Sequence, residues 1–442
     1  MTKRQIKKWI KNIYLIAGLV FAFISAVLLW YWNVGAGWDE GYRGFRTLIY
    51  VGILYCAVYF MFAKIYKAHN IGAYRLMELT FSQSLAYGIA DVILYGAAFL
   101  WFHNFERIEA SLFIVVFMVQ IALTGVLTFV MNRLHARFDE PRKVAIVYGN
   151  ESYPQLLEKM ERFNRRYEIL DCMDQYTNSE ELYEVLEKCE DVYLYEVDDR
   201  IRQEIILFCD HQGCDIHFSI DISDVMVRSY EVSHFFDTPL LRNKKTDVVW
   251  YYPIVKRLMD IVLSLIGLII SSPFMLLTAI AIKLEDGGPV FYRQKRLTVN
   301  NRVFEIYKFR SMKVDAGKNS SLAMKHDDRI TKVGAVIRRF RIDEIPQLIN
   351  ILKGDMTIVG PRPEQPDIAS GYEKTFPQFS LRLKVKAGLT GYAQVYGKYN
   401  TSPVDKLKLD LLYISQRSVI MDLKIMFCTV KILFLPDSTE GF

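Results

Sequence analysis

Residues 261–282 read Ile-Val-Leu-Ser-Leu-Ile-Gly-Leu-Ile-Ile-Ser-Ser-Pro-Phe-Met-Leu-Leu-Thr-Ala-Ile-Ala-Ile, an uncharged run long enough to span a bilayer. Its flanks decide where the rest of the chain lies. Lys256 and Arg257 precede it, and Lys283, Arg293, Lys295 and Arg296 follow, so both ends ask for the cytoplasmic side. At its middle Pro273 removes a backbone donor and crowds the preceding turn, while Ser271 and Ser272 offer hydroxyls to the groups freed there. The expectation is a helix-break-helix over residues 254–283, broken at Ser272 and Pro273, that enters the inner leaflet and comes back out. The alternative is a Pro-kinked fifth span with the C-terminal part outside, which the basic flanks oppose.

Working outward, the 442-residue chain has room for about three domains, and 52% of its residues are apolar. Four further stretches, residues 13–32, 47–66, 79–102 and 111–131, are long enough to span. Lys3, Arg4, Lys7, Lys8 and Lys11 hold the N-terminus in the cytoplasm. The connection with Lys64, Lys67 and Arg75 is basic, and those with Asp39-Glu40 and Glu106 to Glu109 are balanced or acidic, so the positive-inside rule agrees at every crossing. Arg133, Arg137, Arg142 and Lys143 then mark the cytosolic exit. A cleaved signal peptide is not expected, since further spans follow the first. Asp91 lies within the third span, where a carboxylate is either functional or satisfied by an interhelical hydrogen bond; with no basic residue in the same span, the second is expected.

Residues 143 to about 236 alternate between strand-like and helix-like runs, which implies a parallel sheet with crossover helices. The first strand ends in Gly-Asn-Glu-Ser-Tyr-Pro, so the glycine-rich dinucleotide fingerprint is missing, and Glu151 would repel phosphate. A structural, oligomerising or regulatory module is expected, and with the bundle it suggests a homodimer. Cys209, His211, Cys214 and His217 fall close together, but on a helix end and on opposite faces of a strand, so zinc is not expected. The six cysteines are scattered singly and fit a reducing cytosolic face.

The run most informative about chemistry is Arg338-Arg-Phe-Arg-Ile-Asp-Glu-Ile-Pro-Gln-Leu-Ile-Asn-Ile-Leu-Lys-Gly-Asp-Met-Thr-Ile-Val-Gly-Pro-Arg-Pro363. Ile345, Leu348, Ile349 and Leu352 recur at helical spacing, with Asp343 at the N-cap position and Lys353-Gly354 as the stop. Asp343 and Glu344 therefore fall at a helix N-terminus, where the dipole favours an ionised carboxylate, although acids at that position are often only caps. Arg338, Arg339 and Arg341 lie upstream, and Arg362 is held between two prolines. Acid plus arginine suggests a magnesium-phosphate site.

This run, with Phe291-Tyr292-Arg293-Gln294-Lys295-Arg296, Tyr307-Lys308-Phe309-Arg310-Ser311-Met312, Asp328-Arg329-Ile330-Thr331-Lys332-Val333-Gly334 and Gly388-Leu389-Thr390-Gly391-Tyr392-Ala393-Gln394-Val395, resembles the bacterial sugar transferase family, the monotopic polyprenyl-phosphate sugar-1-phosphate transferases. The likeness covers most of residues 250–435. Lys386-Ala387-Gly388 departs from the family pattern, in which proline commonly stands at the Ala387 position.

The resemblance implies an enzyme that moves a sugar-1-phosphate from a UDP-sugar to undecaprenyl phosphate, releasing UMP, at the start of exopolysaccharide, capsule or O-antigen assembly. It points to a hexose, glucose or galactose, and to an aspartyl-phosphosugar intermediate on Asp343. Glu344 would either bind Mg2+ with Asp343 or accept a proton from the incoming lipid phosphate. Arg338 and Arg362 are the expected substrate contacts. Lys308 and Arg310 follow, either as phosphate contacts or as a solvated strand face, and Gln394 either touches base or sugar or supports a turn. Lys256 and Arg257 either meet the lipid phosphate or anchor the helix at headgroup depth.

The expected architecture is a four-helix transmembrane domain (1–136), a degenerate Rossmann-like cytosolic domain (137–240), and a mostly α, α+β monotopic catalytic domain (241–442) on the cytoplasmic face of the inner membrane. Residues 407–435 read as amphipathic helices on the lipid surface, and the net charge of +6 favours anionic lipid; no nucleic-acid partner is expected. The rival readings are a non-catalytic membrane scaffold of glycan assembly and a magnesium-dependent lipid phosphatase with water as acceptor.

Overall fold

The computed structural model describes residues 3–35, 44–102, 109–150, 153–161, 166–228, 230–242, 249–313, 329–397 and 401–433. The acidic connections at Asp39-Glu40 and Glu106, and also Glu151 and Asp328, lie outside the described residues. The chain divides into two compact units, Met1–Ile220 and Asp221–Phe442.

The first unit opens with four long helices, α1 (Lys3–Gly35), α2 (Phe45–Ile65), α3 (Leu76–Phe102) and α4 (Ala110–Arg137). All four are long and apolar enough to cross a membrane. Hydrocarbon offers no hydrogen bonds, so the polar groups of the bundle pair with each other. Tyr14 and Thr128 share a hydrogen bond at 2.7 Å, and Tyr87 donates to the carbonyl of Gly18 at 3.0 Å. Asp91 accepts from Tyr55 at 2.6 Å, and Gln120 donates to the Tyr55 hydroxyl at 3.1 Å, the interhelical bonding expected for that carboxylate.

A parallel sheet follows, built from β1 (Arg142–Tyr148), β2 (Tyr167–Asp174), β3 (Asp191–Tyr195) and β4 (Asp215–Phe218) in the order β2-β1-β3-β4. Helices α5 (Pro154–Glu161), α6 (Ser179–Leu186) and α7 (Asp199–Gln212) alternate with the strands. Val144, Ala145, Ile146 and Val147 are all fully buried, as a central parallel strand covered on both faces requires. The strand order reverses between β1 and β3, the position where such sheets bind ligands. Here the polar side chains at that position bond to one another. A Cβ on Gly149 would lie 2.2 Å from the carbonyl oxygen of Glu196. Asn150 donates to Glu196 at 2.9 Å, Tyr176 donates to Asp198 at 2.9 Å, and the Asp198 amide donates to Gln175 at 2.8 Å. Cys209 faces the core of this sheet, where burial pushes its thiol up to about 12, and His217 stacks on Tyr193 at 4.5 Å.

The second unit contains α8 (Ile222–Val227), a hairpin of β5 (Glu231–Phe235) and β6 (Thr238–Arg242), and the 35-residue α9 (Tyr252–Asp286). Then come β7 (Phe291–Leu297), β8 (Val303–Phe309), α10 (Lys332–Arg339), α11 (Gln347–Lys353), β9 (Thr357–Val359), α12 (Pro366–Thr375), β10 (Gly388–Thr390), α13 (Tyr392–Tyr396), α14 (Pro403–Gln416) and α15 (Val419–Leu433). Two features differ from expectation. Val225 of α8 joins a core with Val359, Phe379, Leu407, Leu411, Tyr413, Ile414 and Ile425, so residues read as the end of the middle module pack with the C-terminal unit. Leu407 and Tyr413 are almost wholly buried, so α14 is a core helix and not a surface-lying one; each such large apolar side chain is worth about 1.5–3 kcal/mol.

Helix α9 is likewise long and apolar enough to cross a membrane, and its helical backbone is continuous through Pro273, the position of the expected break. The reason is local. A residue with an N–H at position 273 would donate to the carbonyl of Ile269, and Ser272 Oγ donates to that oxygen instead at 2.8 Å.

Candidate active site

The acid pair is set up by two short segments. Helix α10 begins at the Thr331 side chain, which accepts from the Gly334 amide at 2.9 Å, and Glu285 at the far end of α9 accepts from the Lys332 amide at 2.7 Å. After α10 the chain turns sharply at Arg341, whose φ of 53° lies in the left-handed region, a conformation that costs about 1–2 kcal/mol for a residue with a Cβ. One 3-10 turn, Ile342–Glu344, then carries both carboxylates, and α11 starts only after Pro346. Asp343 is therefore not the N-cap it was read as, because the left-handed Arg341 places the reversal two residues earlier. The stop at Gly354 is as expected, with φ 87°. Asn350 pins α11 to β8, donating to the carbonyl of Glu305 at 2.7 Å and accepting from the Tyr307 amide at 2.9 Å.

Two cations converge on Glu344 Oε1: Arg362 at 2.7 Å, from the loop after β9, and Lys308 at 3.3 Å, from β8. Burial alone would raise the Glu344 carboxyl, but the charges of Arg362 and Lys308 outweigh it and hold the group well below the usual carboxylate range. Asp343 goes the other way. Burial, then the Glu344 charge, push its carboxyl above the ordinary range, with Lys308, Arg338 and Arg362 opposing. Lys308 is lowered by its own burial, and Glu344 counters this. The pair is thus unequal: one carboxylate is locked in ion pairs, and the other is less stable as an anion.

Arg338 donates to Ser311 Oγ at 3.0 Å and contributes its charge to Asp343. The remaining expected site residues have other partners. Arg310 is buried and ion-paired with Asp286 at the end of α9. Gln394 donates to the carbonyl of Leu389 at 3.1 Å, the turn-supporting role. Lys256 donates to Asp422 at 2.7 Å and to the carbonyl of Val359 at 2.9 Å, and Arg257 donates to the carbonyls of Ile351 and Leu352 at 2.7 and 2.8 Å. Both basic side chains therefore fasten α9 to β9 and to the end of α11. Asp260, one turn on, accepts from Thr357 Oγ1 at 3.0 Å and from the Ile358 amide at 2.9 Å.

Sequence reading missed the support beneath Arg362. Arg382 lies 2.7 Å from Asp410 and donates to the carbonyl of Arg362 at 2.9 Å, and Arg296 donates to the carbonyl of Pro363 at 3.1 Å. Asp410 sits so deep that burial pushes it up to about 6 in spite of Arg382. A lone arginine in the run Leu381-Arg382-Leu383-Lys384 carries no local sign of this burial.

Among the described residues no group of three or more His, Cys, Asp or Glu gathers to form a metal cage. Of the two adjacent carboxylates, Glu344 Oε1 is already taken by Arg362 and Lys308, so a magnesium that keeps its waters and shares substrate phosphates would find Asp343 the freer ligand.

A family model for the bacterial sugar transferases matches residues 251–436, the region that holds α9 and this whole cluster. The chain is 38% identical over 214 residues, 48% of its length, to a UDP-N-acetylgalactosamine-undecaprenyl-phosphate N-acetylgalactosaminephosphotransferase of Aeromonas hydrophila, and spans half the length of that relative. It is 40% identical over 201 residues to a UDP-glucose:undecaprenyl-phosphate glucose-1-phosphate transferase of Escherichia coli, over 44% of this chain and 42% of the relative. To the galactosyl transferase CpsE of Streptococcus agalactiae it is 31% identical over 407 residues, 81% of this chain and 88% of the relative. With its block of apolar N-terminal helices, its parallel-sheet module and this site, the chain belongs to the bacterial sugar transferase family.

Proposed function

We propose that the protein is a polyprenyl-phosphate sugar-1-phosphate transferase that acts on a UDP-sugar and undecaprenyl phosphate in exopolysaccharide, capsule or O-antigen assembly. The observation that carries this is the unequal acid pair: Glu344 held by Arg362 and Lys308, with Asp343 beside it in a strained turn. A carboxylate oxygen of Asp343 attacks the phosphorus that bears the sugar, the bond from that phosphorus to the UMP oxygen breaks, and UMP leaves. An oxygen of the lipid phosphate then attacks the same phosphorus, and the Asp343 oxygen departs as carboxylate. Arg362, Lys308 and Arg338 bind and orient the phosphates and offset their charge. A magnesium ion held by Asp343 and Glu344 would supply further charge neutralisation. Glucose or galactose is the proposed sugar, in keeping with the galactosyl transferase that aligns along most of the chain.

The catalytic unit works at the cytoplasmic face, with α9 re-entering the same leaflet. Support for this topology comes from both ends of that helix. Near its start Lys256, Arg257 and Asp260 are tied to the catalytic body, and near its end Glu285 and Asp286 are tied to the same body. A helix crossing the bilayer would part those two sets.

Purified protein given a panel of UDP-sugars and magnesium, with and without undecaprenyl phosphate, tests the function by UMP release. Multiple turnovers that require the lipid support a transferase. Turnover with water alone would favour a phosphatase, and none with any sugar would favour a scaffold.

A further inference from the structure

Arg362 presents its guanidinium from a loop, and a loop side chain delivers charge to a fixed point only when its backbone is itself fixed. Two prolines stiffen the stretch, and two arginines hold it by its carbonyls: Arg382 Nη2 on Arg362 at 2.9 Å and Arg296 Nη1 on Pro363 at 3.1 Å. Of the two, Arg382 is the more deeply set. It is 4% exposed, lies over the ring of Phe379 at 4.9 Å, and is ion-paired at 2.7 Å with Asp410 of α14, itself 1% exposed, with Glu364 at 3.5 Å. A buried ion pair seldom stabilises a fold more than apolar packing would, so one placed directly beneath a charged loop residue calls for a positional reason.

Resting on the transferase reading above, we propose that Arg382, anchored by Asp410, is a positioning residue for the donor substrate: it fixes the Arg362 peptide so that the Arg362 guanidinium is shared between Glu344 and the diphosphate of the sugar nucleotide. The chain of contacts is continuous, from Asp410 to Arg382, to the Arg362 carbonyl, to the Arg362 guanidinium, to Glu344 Oε1. Arg382 acts through Arg362 and not on the substrate. Its loss should therefore weaken use of the sugar nucleotide and spare use of the lipid.

A double-mutant cycle in the full-length protein tests this, with UMP release measured against both substrates for Arg382→Gln, Arg362→Gln and the pair. Arg382→Gln should lower kcat/KM for the UDP-sugar by about tenfold or more, chiefly through KM, with KM for undecaprenyl phosphate within about twofold of wild type. The pair should be no worse than Arg362→Gln alone, because the two act as one unit. Arg382→Lys, which keeps one donor and the charge against Asp410, should recover part of the loss. Losses that multiply in the pair, equal losses for both substrates, or an unchanged Arg382→Gln would each overturn the positioning role. If Arg382→Gln does not fold, Asp410→Asn carries the same cycle, with a loss of about threefold to tenfold expected and the same outcomes deciding. A silent Arg362→Gln would instead contradict the transferase assignment of Arg362 and leave nothing for Arg382 to position, whereas a defective Arg362→Gln beside a silent Arg382→Gln would contradict the positioning role alone.

Discussion

Two clusters of polar side chains stand at strand ends in this chain, and they are built to opposite purposes. At the edge of β1 and β3 in the first unit, Gln175 and Asp198 satisfy each other, Tyr176 adds a hydrogen bond to Asp198, and Asn150 is spent on Glu196. Among the described residues these groups answer one another within the module, and the balance is acidic. Beside β8 and β9 in the second unit the balance is reversed. Lys308 and Arg362 converge on one oxygen of Glu344, with Arg338 close by, and Asp343 is left with a destabilised negative charge. A fold can carry a polar cluster that satisfies itself, and a site is recognised by what is left unbalanced.

The largest effects should come from breaking that imbalance. Arg362→Gln removes the closer of the two cations from Glu344 and the proposed phosphate contact, so kcat/KM for the UDP-sugar should fall by about 100-fold. Lys308→Gln should act in the same direction and more weakly, as the longer contact implies. An equal and small effect from both would mean that the cations only stabilise the turn.

The acid limb of the pH profile sharpens the comparison next. In the proposed mechanism Asp343 attacks as the anion, and its carboxyl is raised by burial and by Glu344, so kcat/KM should decline as pH falls through a value above the ordinary carboxylate range near 4. Removing the neighbouring charge with Glu344→Gln lowers the Asp343 carboxyl, so the limb should move to lower pH even as the maximal rate drops. Stability follows the opposite sign for Glu344: its depressed carboxyl contributes stability that is present above the ordinary range and fades as pH falls below it. A limb that moves up, or stays, in Glu344→Gln would break the assignment of unequal roles.

The smallest effect belongs to the other cluster. Gln175→Ala removes a buried amide that both donates to and accepts from Asp198, and should cost about 1 kcal/mol in stability of the sheet module, read by thermal unfolding, with UMP release unchanged. A large loss of activity would show that the module takes part in catalysis.

Much of this was legible in the chain because it depends on local pattern. Apolar length gives α1 to α4 and α9, and alternation gives the parallel sheet. What escaped depends on distant partners. Nothing near Lys256 or Arg257 reveals that Asp422 and the carbonyls of Val359, Ile351 and Leu352 will claim them. The left-handed Arg341 has no sequence mark, since glycine or asparagine would be the usual sign, and so the turn under Asp343 read as a plain N-cap. Apolar and charged residues mixed along α14 look like a surface helix until the core that covers Leu407 and Tyr413 is known.

The central claim is that Asp343 takes the sugar phosphate covalently before the lipid arrives. The most direct measurement is a rapid-quench experiment with UDP-sugar, magnesium and no lipid, following UMP and the mass of the protein. A burst of about one UMP per active site, with a sugar-phosphate adduct on the peptide holding Asp343 that disappears when undecaprenyl phosphate is added, is the predicted result, and Asp343→Asn should give neither. UMP formed only when lipid is present, or a burst that survives in Asp343→Asn, would contradict it.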